Sequence, residues 1–158
     1  MRRTVRLFAA VGPAERLGRA IAAMPRPVQR TLAEVACRTD LQLASGSWQE
    51  DGGGCLVTNA VACVGDPNDR RTLDLRMLDA FPQMSSRDLN HLIVAWDEAA
   101  AQADVVDDVG LRVLLHRGLA WAGVAVPAGT GLPRSDGDDA DARPERRPLV
   151  RVLDGDIN

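Results

Sequence analysis

Residues 85–103 read SSRDLNHLIVAWDEAAAQA. Leu89, Leu92, Ile93, Trp96, Ala100 and Ala103 recur at three- and four-residue steps, the spacing that lines one face of an α-helix. Ser85 and Asp88 stand where a capping box needs its N-cap hydroxyl and third-position carboxylate, with Asp in place of the stronger Glu. The stretch is therefore predicted to be an amphipathic helix.

The same patterns extend outward in both directions. C-terminally, Asp107 or Asp108 caps a helix that turns Leu111, Leu114, Leu115, Gly118, Leu119 and Ala122 inward and ends at Gly123. N-terminally, Asp66-Pro67 reads as N-cap and first turn of a helix burying Leu73, Met77, Leu78 and Phe81, stopped by Pro82. Residues 55–64 read as a short helix burying Leu56, Val57, Ala60, Val61 and Val64. Val28, Leu32, Val35, Ala36, Thr39 and Leu43 continue one stripe from Pro27 toward a C-cap at Gly46. Gly12-Pro13 opens a first helix toward Met24, and residues 1–11 read as either a short strand or a helical turn. The expected fold class is all-α, a compact bundle of five or six short helices over residues 1–126. A flexible charged tail is expected over residues 127–158, because residues 129–148 are rich in Gly, Pro and charge and offer little to bury.

Composition agrees. Apolar residues make up 46% of the 158, enough for a core, whereas aromatics are 3% with no Tyr, too few for a sandwich or barrel. All 19 basic residues are Arg, a mark of a GC-rich genome rather than of function. The net charge of −3 weighs against a generic binder of nucleic acid or acidic membrane. No stretch reaches the length of an apolar membrane span, and Gly12-Pro13 cuts the N-terminal run short of a signal peptide. Three cysteines, Cys37, Cys55 and Cys63, form no even disulfide framework, so a reducing, cytoplasmic setting is expected.

The most unusual local feature is Trp48-Gln49-Glu50-Asp51-Gly52-Gly53-Gly54-Cys55. Glycines at a helix start let a ligand approach backbone N–H groups, and the helix dipole stabilises a thiolate or an anion there. Trp48, Gly53, Gly54 and Asn59 are the candidate ligand-binding residues. The competing reading is a tight turn around a small buried residue. Cys55 and Cys63 lie roughly 12 Å apart along one helix, too far to share a zinc ion, and no C-x-x-C or H-x-x-x-H pair exists, so neither a metal nor a cofactor is expected.

Cys55-Leu56-Val57-Thr58-Asn59-Ala60 behind a glycine loop resembles, in outline, the nucleophile helix of papain-like enzymes. The resemblance implies Cys55 as nucleophile, His91 as base on a strand and Asp97 as its orienting group. Against it stand the helical period of residues 86–103 and a 36-residue spacing that leaves little room for a sheet. The order Trp48, glycine loop, Cys55-Leu56, Ala60 and Trp96-Asp97 also resembles small helical proteins of actinobacteria and their phages, a resemblance that implies no activity.

The leading expectation is a small helical binding or regulatory module that acts through a protein partner or a second copy of itself. Leu41, Leu75 and Val94, which fall off the main stripes, would be covered by that partner. A Cys55-dependent enzyme or thiol sensor is the alternative. A helix-turn-helix DNA binder with residues 85–96 as reader is the third reading, opposed by Asp88, Asp97 and Glu98, which repel phosphate.

Overall fold

The computed structural model describes residues 11–46 and 53–128. Six helices stand within them: α1 (Pro13–Ala22), α2 (Arg26–Cys37), α3 (Leu56–Val64), α4 (Leu73–Ala80), α5 (Ser86–Ala103) and α6 (Asp108–Trp121). Two two-residue strands, β1 (Gln42–Leu43) and β2 (Gly53–Gly54), pair in parallel. The fold is all-α. Residues 1–10, Trp48 and the tail from residue 129 onward lie outside the described residues.

α5 forms as its sequence dictates. Ser85 Oγ accepts from the Asp88 backbone N–H at 3.2 Å, and Asp88 Oδ2 accepts from the Ser85 N–H at 3.0 Å, so both halves of the capping box are made. Leu89, Leu92, Trp96 and Ala100 are buried, with Ile93 and Ala103 half-buried at the edges of the stripe. Asp107 caps α6 by accepting from the Gly110 N–H at 3.0 Å, and Leu111, Leu114, Leu115 and Leu119 enter the core. α1 lies along α6 and α5, α2 against α3 and α6, and α3 against α4. At the α1–α2 corner, Gln29 donates its amide to the carbonyls of Ile21 and Met24, which the end of α1 leaves open.

Three local expectations are corrected. The stripe through Thr39 and Leu43 does not continue α2. That helix stops at Cys37, and Leu43 is buried from β1 instead. The cause lies in α6: Arg112 donates Nη1–H to the carbonyls of Val35 (3.0 Å) and Arg38 (2.9 Å), and Nη2–H to that of Leu41 (2.7 Å). Asp108 holds the same guanidinium at 2.9 Å and also accepts from the Leu43 N–H at 2.7 Å. One ion pair thus closes α2 and fixes the chain behind it.

Asp66-Pro67 does not begin α4. Asp66 Oδ1 accepts from the Asn68 N–H at 2.8 Å, a local turn that competes with helix, and α4 starts only after Thr72. Val64, expected in the core, is exposed at the C-terminal end of α3.

Candidate functional site

The glycine–cysteine segment is stitched to the helices around it. Gly53-Gly54 pairs with Gln42-Leu43, and the Gly54 carbonyl accepts from the Ala44 N–H at 2.9 Å. Asn59 spends its amide on the carbonyls of Gln42 (2.8 Å) and Gly54 (3.1 Å). Gly54 is required by space: a Cβ there would stand 2.5 Å from the side chain of Thr58. On the far side, Trp96 Nε1–H donates to the Ala44 carbonyl at 2.9 Å and Asp97 accepts from the Gly46 N–H at 2.9 Å.

Gly53, Gly54, Cys55 and Asn59 are therefore brought together, but the Asn59 amide is spent on Gly54 and Gln42. Cys55 is 6% exposed, and its sulfur lies 3.3 Å from the Thr58 hydroxyl. His91 is exposed on α5, six residues from Asp97 on a helix rather than on the strand that the papain-like outline requires. Among the described residues no hydrogen bond joins Cys55, His91 and Asp97, and no cluster of three or more His, Cys, Asp or Glu side chains could hold a metal.

A different site emerges between α4 and α5, joined by the short turn at Phe81–Ser85. A groove of about 680 Å³ opens there. Its apolar floor is Leu73 and Leu78 from α4 and Leu89 and Ile93 from α5. The residues Ser86, Leu89, Asn90 and Ile93 recur at the helical period, so α5 presents them along one line. Ser86 and Asn90 are exposed at the rim, and Val94, one turn beyond Asn90, is 43% exposed.

The opposite rim carries three arginines, Arg70, Arg71 and Arg76, against the single carboxylate of Asp74 in the lining. Asp74 is itself engaged: the Thr72 hydroxyl and the Leu75 backbone hold its carboxyl below the usual range. Arg71 is committed to Asp69 at 2.7 Å and Asp79 at 3.0 Å. The Arg71 guanidinium, with the Arg71 backbone N–H, pulls the Asp69 carboxyl down to about 2.

Arg70 and Arg76 differ from Arg71. Arg70 is exposed and makes no hydrogen bond or ion pair with a described residue. Arg76 donates Nη2–H to the Asp66 carbonyl at 3.1 Å, but among the described residues it forms no ion pair and its buried Nε–H has no partner. The same arginines border a second depression of about 510 Å³ on the α3 side, so residues 67–76 form a basic ridge between two hollows.

Sequence reasoning does not single out these residues. The signal available was the run Asp69-Arg70-Arg71 ahead of Leu73, two adjacent arginines just before the first apolar residue of α4. No helix among the described residues is long and apolar enough to cross a membrane. Compared with known protein families, with characterised proteins and with solved structures, the chain matches none.

Proposed function

We propose that the protein is a small helical binding module that holds a segment of another protein in the groove between α4 and α5. The observation that carries this reading is the groove itself, in which Leu73, Leu78, Leu89 and Ile93 lie among polar and charged residues, the apolar-core and polar-rim make-up of a protein interface. The remaining exposed apolar residues support a surface patch less well. Val109 and Trp121 stand at opposite ends of α6, roughly 18 Å apart along its axis. The glycine–cysteine segment, tied to β1 by the Gly53-Gly54 pairing and by the Asn59 amide, serves as scaffold in this reading. The unpaired thiols of Cys37, Cys55 and Cys63 support a reducing, cytoplasmic setting.

The test is selection from a random-peptide display library on the full chain, followed by binding to an Asn90→Trp variant. Asn90 is exposed, so the indole fills the groove without entering the core. Selected peptides are expected to bind the wild-type chain and to lose at least about tenfold in affinity on the variant, while its melting temperature stays unchanged. Peptides that bind both proteins equally would refute the groove as the site.

A further inference from the structure

Among the described residues, two of the three groove arginines, Arg70 and Arg76, form no ion pair with a carboxylate. Arg71 shows what this ridge does when acids are available: it takes two, Asp69 and Asp79. Arg70 has no partner among the described residues, and Arg76 has a neutral carbonyl acceptor only. A guanidinium presents a rigid fork of N–H donors that fits carboxylate geometry and is weakly hydrated, so it favours an anionic partner at an interface. Directly beside these charges lies the floor of Leu73, Leu78, Leu89 and Ile93.

Resting on the groove reading above, we infer that the occupant is an acidic and apolar peptide segment of a partner protein. Its carboxylates meet Arg70 and Arg76, and its apolar side chains seat on the leucine and isoleucine floor. Charge complementarity of this kind steers the encounter and fixes the register, while the apolar floor supplies most of the affinity. A nucleic acid fits less well. Its phosphates would use the arginines but leave the floor uncovered.

The experiment sequences the library-selected peptides and titrates the tightest one against the full chain and three variants: Arg70→Glu, Arg70→Gln and Arg87→Glu. Arg87 is exposed on α5 outside the groove and serves as the charge control. The expected result is enrichment of Asp and Glu between apolar positions and weakening of binding with added salt. Arg70→Glu should cost about tenfold or more in affinity and Arg70→Gln less, with Arg87→Glu close to wild type.

Peptides without acidic enrichment that Asn90→Trp still blocks would overturn the acidic occupant and leave the groove standing. Peptides insensitive to Asn90→Trp would overturn both readings. A single-stranded oligonucleotide that binds more tightly than any peptide and depends on Arg70 would overturn the peptide partner. Self-association of the chain that Arg70→Glu dissolves would do the same in favour of a second copy.

Discussion

Gly18 of α1 faces Gly118 of α6 so closely that a Cβ on Gly18 would stand 2.9 Å from the Gly118 carbonyl oxygen and 2.8 Å from Trp121 Cβ. The reverse holds too: a Cβ on Gly118 would stand 2.9 Å from Leu17 Cδ2, and Leu17 is fully buried. The α1–α6 crossing is thus set by two missing side chains, with the Arg19 guanidinium lying 5.9 Å from the centre of the Trp121 ring.

Gly18→Ala is expected to destabilise the protein. In a free helix the exchange gains about 1 kcal/mol of helix propensity. Here the new methyl meets backbone, which cannot swing away, and overpacking of this kind costs about 1–3 kcal/mol. The clash should win, and the denaturant midpoint should fall. A rise would show that the two helices do not approach this closely.

Trp96 is 1% exposed and spends its indole N–H on the Ala44 carbonyl. Trp96→Ala should cost about 3–5 kcal/mol, as large core truncations do. Trp96→Phe keeps most of the packing and leaves the carbonyl without its donor, for a loss of about 1–3 kcal/mol. Equal losses for the two variants would mean that the hydrogen bond, not the ring, anchors residues 42–46.

Arg112 is 12% exposed and serves the four carbonyls of Val35, Ala36, Arg38 and Leu41 together with Asp108. Arg112→Met should lower stability by about 3 kcal/mol, because Asp108 loses its counter-ion and the end of α2 its donors. Arg112→Lys should recover only part, since an ammonium cannot span the same set of acceptors. Full rescue by Lys in urea denaturation would reduce the role of Arg112 to charge alone.

These same residues explain what the sequence discloses and what it hides. The stripe and capping box of α5 and the Asp107 cap of α6 are legible because every partner lies within four residues along the chain. The end of α2 is hidden because Arg112, which closes it, lies far along the chain on α6, while Thr39 and Leu43 prolong the local period past the true stop. Asp66-Pro67 misleads for the opposite reason: it satisfies a helix-start pattern, and a three-residue Asp66–Asn68 turn wins over it. The three glycines attract a ligand reading, whereas the closeness of Thr58 accounts for Gly54. The groove is the least legible feature, since its Leu89 and Ile93 side meets its arginines only when α5 folds back on α4.

Acid should weaken the ridge. The Arg71 guanidinium holds the Asp69 carboxyl at about 2, below its unfolded value of about 3.9. A depressed folded-state value contributes stability above the unfolded one, and that contribution is lost as pH falls toward 2. Asp88, lowered by its bonds to Ser85, and Asp40, lowered by Arg38, act in the same direction. All three are at the surface, so each effect is small. Denaturant midpoints should hold steady from neutral pH to about 4 and decline below it, with a shallower decline in Asp69→Asn. An identical acid slope in that variant would contradict the assignment.

The most direct test of the groove is an amide nitrogen–proton NMR titration of the full chain with the tightest library-selected peptide. The expected perturbations centre on Arg70, Leu73, Arg76, Leu78, Asn90 and Ile93, with Val109 and Trp121 unmoved. Perturbations centred on Val109, on Trp121 or on the segment around Cys55 would contradict the account and place the binding face elsewhere.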